Sequence, residues 1–431
     1  SQYWTEEFGN RARLLGGAVI GDPADMSACF YNPGGLALVT DPEILLAGNV
    51  LRYETIRVET VGGRGISSTS SRFGSVPSLF GGELGHEPGK RNRLAYSFLT
   101  RQAFERRSSV RLELTDADLG LPAGLTFLGG DSRIDQRLTE HWAGMTWSRK
   151  MNQKYAVGVS PYIAVRSHRS RAQELIEGLA DTTAVAFDRA NDFEYLHWRL
   201  LAKFGIAADL GDWKLGAILT TPSVSLWGSG EVSYDRILVS QIPGNNGPIQ
   251  PDVTSNTQED LKAKFHSPLS LGAGVARKLG NTNVHVSAEW FNGVEATEIL
   301  DPDDFAARPS GELVDLNVIY EMKALTNVGI GVDHVFNPGL TAYGSFRSDL
   351  SGNVPNSNST TATWDIYHLA GGAIIQRGKA GVTLGGVFSF GDSGTYRRID
   401  LTQTPLRIGE LPNLTVHYLR AMGVIGFNFA F

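Results

Sequence analysis

Cysteine is almost absent from this chain: Cys29 is the only one in 431 residues, so no disulfide can form within it. In its Ala-Cys-Phe setting it reads as a small buried hydrophobe rather than a reactive thiol. Long apolar runs are absent too. None approaches the ~18–20 residues of a membrane helix, which leaves barrel strands open, because those need only ~9–11 residues with every second one apolar. Charged residues make up 19% of the chain, and the formal net charge of −6 argues against nucleic acid as a partner. The nine histidines are scattered, with no pair at metal-ligand spacing on one strand, so neither a metal nor a cofactor is expected. No repeat of ~20–50 residues marks a propeller or solenoid.

Catalytic signatures are equally sparse. Gly391-Asp392-Ser393-Gly394 matches four residues of a protease nucleophile region, without a histidine motif or cysteine framework, and reads as a turn. Gly85–Lys90 has the wrong spacing for a phosphate loop, with Pro88 inside it and Arg91 where Ser or Thr belongs. Asp301, Asp303 and Asp304 offer oxygen ligands for a hard cation, but a solvated acidic loop is the better reading. No nucleophile–base pair stands out, and the chain is not expected to be an enzyme.

What the chain has is alternation. In 194–210, Leu196, Trp198, Leu200, Ala202, Phe204 and Ile206 form one face, and His197, Arg199, Leu201, Lys203 and Gly205 the other. Val284, Val286, Ala288 and Trp290 alternate with His285, Ser287 and Glu289. Leu261, Ala263, Phe265, Leu269, Leu271, Ala273 and Val275 alternate with Lys262, Lys264, His266 and Ser270, as one strand over 261–275. At the C-terminus Leu419, Ala421, Ile425 and Phe427 alternate with Arg420, Met422 and Gly426, up to a terminal Phe431. Faces sustained over ~15 residues exceed the ~5–6 of an ordinary strand and match a lipid-facing outside and a polar lumen.

Connections alternate long and short. Long ones fall near 62–75, 116–137, 178–191, 240–257, 301–311, 351–359 and 394–412. Short ones with turn residues fall near 86–92, 151–154, 211–212, 278–281, 337–339 and 377–379. That pattern predicts an all-β fold: a single transmembrane antiparallel β-barrel of about 14 strands over 43–431. Residues 1–42 are then left over. The stretch 14–40 is Gly/Ala-rich and, at roughly 27 residues, too short to bury a core of its own. It is predicted to be a hatch inside the lumen, turned by Asp22-Pro23 and Asn32-Pro33, with Asp25, Ser27 and Asn32 bonding to lumen side chains and Gly34 passing close to the wall.

Two apolar tracts are expected in long loops: 119–130, with Leu125, Phe127 and Leu128, and 174–187, with Leu175, Ile176 and Leu179 at helix-like spacing. They read equally as a hydrophobic capture groove or as a cap on the barrel. Lumen-facing Arg199, Lys203, Glu289 and Arg420 are expected to pair across the interior, and Arg199, Lys203 or Arg420 is the candidate to meet a ligand head group.

The segment Gly16–Val39 (GGAVIGDPADMSACFYNPGGLALV), with Thr220–Asp235, His266–Gly280, Val284–Gly293 and Asn327–Asp349 following in order, resembles the FadL/TodX family of outer-membrane transport proteins for hydrophobic compounds. Gly34 stands where that family usually has alanine. The resemblance implies a 14-stranded barrel plugged by its N-terminus, in the outer membrane of a Gram-negative bacterium. It further implies passive uptake of long-chain fatty acids or similar amphiphiles with lateral exit through the wall. Membrane lipids and a hydrophobic ligand are the partners expected from it. The related fold includes PorV-like proteins of type 9 secretion, so an accessory role, with a partner protein at the extracellular loops, is the alternative. Ser1 in place of an initiator Met fits a chain exported with a cleaved signal peptide.

Overall fold

The computed structural model describes residues 2–39, 43–60, 67–74, 77–85, 90–115, 126–180, 183–240, 251–354, 357, 359, 364–378, 380–396 and 414–430. The N-terminal part holds two short helices, α1 (Asn10–Leu14) and α2 (Ala28–Tyr31), and a 3-10 turn at Pro33–Leu38. From there on the described residues are strands and their connections. No helix among the described residues is long and apolar enough to cross a membrane.

The strands are β1 (Glu43–Thr60), β2 (Ser67–Gly74), β3 (Pro77–Leu84), β4 (Asn92–Thr115), β5 (Phe127–Lys150), β6 (Tyr155–Ala180) and β7 (Thr183–Asp209). They continue with β8 (Trp213–Thr220), β9 (Val224–Ser240), β10 (Asp252–Lys262), β11 (Ser270–Leu279) and β12 (Thr282–Phe291). A small insertion carries β13 (Val294–Leu300), β14 (Phe305–Ala306), β15 (Leu313–Val314) and β16 (Val318–Met322). The wall resumes with β17 (Leu325–Asn337), β18 (Leu340–Asp349), β19 (Ile366–Arg377), β20 (Ala380–Tyr396) and β21 (Leu414–Ala430).

Antiparallel pairing runs from neighbour to neighbour, and β1 pairs with β21, which closes the sheet into a barrel. The pairs β2–β3, β8–β9 and β10–β11 each make one interrupted stave, so the wall has fourteen staves. Closure pairs the first stave with the last, as a spanning sheet in lipid requires.

Side-chain alternation sorts the wall into two surfaces. On β7, Trp198, Leu200, Phe204 and Ile206 point out and are exposed, while His197, Arg199 and Lys203 point in and are buried. β12 and β21 divide as their sequences predict. Height is uneven: β4 to β7 run for 24 to 27 residues, β12 and β18 for 10. One side of the wall therefore projects beyond the rest.

Several sequence expectations change. The stretches 127–137 and 178–191 are largely strand rather than long loop, and the helix-like spacing of Leu175, Ile176 and Leu179 lies in extended β6. Strand pairing along the β5–β6–β7 hairpins overrides the local pattern. Gly391–Gly394 lies within β20, not in a turn. Residues 86–89 of the Gly85–Lys90 stretch lie outside the described residues.

The stretch 261–275 is not one strand. Asp260 has φ 57° at a bulge between Gln258 and Leu261, which reverses the side-chain parity. Ala263 and Phe265 thus point into the lumen instead of outward. Asp301, Asp303 and Asp304 are exposed between β13 and β14. The insertion packs Ile299, Leu300, Val318 and Tyr320 onto lumen aromatics and is tied to the wall where Lys264 N donates to Ile299 O at 2.9 Å.

Candidate functional site

The N-terminal segment fills the lumen, and its own turns explain how it fits. α1 ends in a Schellman motif: Gly17 N donates to Ala12 O at 2.8 Å and Gly16 N to Arg13 O at 3.2 Å. Gly16 takes φ 60° and Gly17 φ 73°, which glycine adopts without a Cβ penalty. The chain then passes along the wall at Ile20-Gly21, turns at Asp22-Pro23, and returns through α2 to Asn32-Pro33-Gly34.

Asn32 is fully buried and pins this return. Its Nδ2 donates to Ile20 O at 2.9 Å and to Ile206 O of β7 at 3.0 Å, and its Oδ1 accepts from Gly34 N at 3.1 Å. The wall opposite is glycine. A Cβ at Gly205 would lie 2.2 Å from Asn32 Oδ1, one at Gly158 2.4 Å from Pro33 O, and one at Gly216 2.0 Å from Ile20 O. The hatch thus docks on bare wall backbone. Ser160 Oγ and Tyr162 OH both donate to Cys29 O, at 2.8 and 2.7 Å, and Ser148 Oγ donates to Gly34 O at 3.1 Å.

The expectation that Asp25, Ser27 and Asn32 bond to lumen side chains gives way to main-chain and local contacts: the partners of Asn32 are all backbone groups. Asp25 Oδ1 accepts locally from Ser27 N at 2.8 Å, and Ser27 is buried beside Gly9. Asp22 does reach the wall: Lys214 Nζ lies 2.7 Å from its Oδ1 and Arg11 Nη2 2.9 Å from its Oδ2. Burial raises the Asp22 pKa, but the charges of Arg11 and Lys214 outweigh it and hold the carboxyl down to about 2. Burial pushes the Cys29 thiol up to about 11, consistent with an inert side chain. Beside Asp22, on the side of the short turns, a pocket of about 420 Å³ is lined by Lys214, Arg277, Lys278 and Asn283.

The first residues are held by buried ion pairs. Glu6 Oε1 meets Arg52 at 2.9 Å and Arg420 at 3.3 Å, and Glu7 meets Arg347 at 2.9 Å. Arg420 Nη2 also donates to Thr5 O at 2.9 Å. Arg420 is therefore engaged by the N-terminal segment, whereas the other two candidate cations lie elsewhere.

Arg199 and Lys203 sit in an aromatic-lined cluster between hatch and insertion. Lys203 Nζ lies 4.0 Å from the Phe30 ring centre and 3.9 Å from Glu289 Oε1. Glu289 is already occupied: Trp4 Nε1 donates to it at 2.8 Å and Ser270 Oγ at 2.7 Å. Arg199 and Arg166 share Glu140, at 2.5 and 2.9 Å, and stack on Phe265 at 4.8 and 4.1 Å. Arg101 lies against Tyr3, Phe30 and Trp142 and donates to Tyr3 O. Among the described residues, four cations thus face two carboxylates. Arg101 Nε and both Nε and Nη1 of Arg199 are buried without a hydrogen-bond acceptor. Sequence reasoning missed Arg101, Glu140, Arg166 and Phe265. The first three carry an inward-charge signal; Phe265 does not, since the bulge at Asp260 hides its direction.

The candidate hydrophobic residues are divided between two surfaces. Phe127 and Leu179 are register partners on the outer face of the tall hairpins, with Leu175 on the same face. Ile176 faces inward and is buried beside Phe187. Leu125 lies outside the described residues, as does the Leu128 side chain.

No known family profile matches the chain, and no curated protein matches it. Solved structures do. The Pseudomonas putida toluene transporter TodX is similar with a TM-score of 0.60 at 14% identity, covering 100% of both chains. A Pseudomonas aeruginosa FadL homologue gives 0.61 at 12% identity, again over 100% of both. The CymD monoaromatic hydrocarbon channel gives 0.55 at 14% identity, over 98% of this chain and 97% of its own. At these identities the likeness is one of architecture, and it extends end to end: the chain has the FadL/TodX barrel fold.

Proposed function

We propose that the chain is a hatch-gated channel in the outer membrane of a Gram-negative bacterium, for passive uptake of hydrophobic molecules. Its preferred cargo is an amphiphile with an anionic head, such as a long-chain fatty acid. The observation that carries this reading is the cluster's excess of cations: Lys203, Arg199 and Arg101 are buried among aromatic rings, and Arg199 and Arg101 have donors left open. A carboxylate entering there meets charge-assisted hydrogen bonds. Its chain gains roughly 0.8 kcal/mol for each methylene buried. Passage onward requires the hatch to leave the wall, and Asn32 and Asp22 are among the contacts that hold it there.

The toluene and monoaromatic hydrocarbon named for TodX and CymD are uncharged, so cargo charge is the property to test. Binding of a long-chain acid and of its methyl ester, measured on the purified protein by intrinsic tryptophan fluorescence, separates the cases. The acid is expected to bind about tenfold more tightly, and equal affinities would overturn the head-group assignment. A barrel that binds neither, and instead captures one protein partner in stoichiometric amount, would favour an accessory role.

A further inference from the structure

On the outer face of the tall hairpins, Arg137 of β5 lies directly opposite Arg169 of β6. Like charges in register across an antiparallel pair repel. Arg169 has only a distant carboxylate, Glu194 at 3.8 Å, and its side chain is 58% exposed. Arg137 is exposed; Glu105 of β4 is its register partner on the other side, yet Arg137 makes no ion pair with any described residue. Other arginines on this face are balanced: Arg107 by Asp135 at 3.3 Å, Arg171 by Asp192 at 2.7 Å, Arg133 by Asp131 at 3.0 Å. Arg137 and Arg169 thus set two planar donor forks side by side, with Glu105 and Glu194 flanking them in the same cross-strand row.

Its position along the wall is specific. The next outward pair toward the turns is Thr139 and Ser167, two hydroxyls. Beyond it come His141 opposite Val165, both half-buried, and then Ala143 opposite Ile163, Met145 and Trp147, all exposed. From Arg149, at the turn end of β5, to Arg137 the strand climbs roughly 30 Å, at ~3.4 Å per residue and a tilt of ~40°. That matches an apolar band of ~25 Å with an interface at each edge. The arginine pair therefore stands at head-group height, with an apolar strip below it and hydroxyls between.

We propose that Arg137 and Arg169 form a binding site for the phosphate of an anionic membrane lipid, with Thr139 and Ser167 donating to the same group and the acyl chain lying along Ile163, Met145 and Trp147. Guanidinium forks match phosphate oxygens in bidentate geometry, and one phosphate dianion removes the repulsion between the two arginines. The site faces the bilayer and is separate from the lumen cluster. It rests on the reading that the barrel stands in a membrane, and not on what passes through it.

The test uses the full chain, reconstituted in phosphatidylcholine nanodiscs containing a minor share of phosphatidic acid. Retained lipid is identified by native mass spectrometry after transfer to a neutral detergent. The wild-type chain is expected to retain phosphatidic acid, and R137Q/R169Q to lose about tenfold in retention. R107Q/R133Q, which removes balanced arginines on the same face, should retain it as the wild type does. R137K/R169K keeps the charge without the forks and should fall between; it also serves if the glutamine pair fails to give the heat-modifiable gel mobility of a folded barrel. Equal retention by wild type and R137Q/R169Q would overturn the proposal. So would displacement by millimolar inorganic phosphate, which would mean a site for the free ion. Failure of the chain to enter nanodiscs at all would count against the membrane reading itself.

Discussion

Replacing Asn32 by alanine should free the hatch while leaving the barrel standing. The side chain makes three hydrogen bonds, and its removal leaves Ile20 O, Ile206 O and Gly34 N without it. Each buried polar group left unsatisfied costs ~1–3 kcal/mol, and water reaching the freed groups recovers part of that. A net loss of about 2–4 kcal/mol of hatch anchoring corresponds to a rise of roughly 30- to several-hundred-fold in the fraction of molecules with the hatch displaced. The strand ladders of β6, β7 and β8 do not depend on Asn32, so the barrel's own unfolding transition should move little. Two assays read this directly. Amide hydrogen exchange across 14–39 should accelerate by that factor while exchange in β7 stays slow, and conductance in planar bilayers should rise or flicker. Wild-type exchange and wild-type conductance in Asn32→Ala would refute the reasoning, because they would mean that the hatch is held elsewhere.

Three further outcomes follow from the same geometry. Gly205→Ala places a Cβ 2.2 Å from Asn32 Oδ1 and 2.8 Å from the Pro33 ring, so it should expel the hatch turn without altering a hatch residue; protease cleavage within 14–39 that matches the wild type would contradict this. Lys203→Met should weaken binding of a long-chain acid by about tenfold or more, as loss of a charged hydrogen-bonding partner costs ~1.5–3 kcal/mol, and should leave the methyl ester unaffected, which competitive fluorescence titration checks. Asp22 has a folded pKa of about 2 against an ordinary 3.8, so its contribution to hatch anchoring is present above about pH 4 and is lost as pH falls toward 2. That contribution is about 2 kcal/mol, and Lys214→Met should flatten the corresponding rise in hatch exchange on acidification.

Much of the wall was legible from alternation because a barrel stave has one partner on each side and one rule for its faces. Trp198, Phe204 and Ile206 point out and Arg199 and Lys203 point in, as their spacing requires. The rule failed where backbone geometry changed the count. Asp260 inserts a residue, and Phe265 turns inward to stack beneath Arg166 and Arg199. It failed again at Leu175, Ile176 and Leu179, whose spacing suits a helix but whose backbone is claimed by β5 and β7.

The hatch was legible as a segment too short to fold alone, but its contacts were not. Asn32 bonds to main-chain carbonyls, and the groups that make room for it are glycines 126 to 184 residues away, at Gly158, Gly205 and Gly216. Nothing in the local sequence links them. The same holds for the lumen cluster, where Glu140 on β5 joins Arg166 on β6 and Arg199 on β7 only because three staves lie side by side.

Uptake by the purified chain in liposomes tests the central claim most directly. A long-chain acid is added outside, and its arrival in the lumen is followed by a trapped fluorescent acid-binding reporter, with no ion gradient imposed. The account predicts entry that saturates with concentration, exceeds that of protein-free liposomes, and rises in Asn32→Ala. Entry at the protein-free rate in both wild type and Asn32→Ala would contradict it.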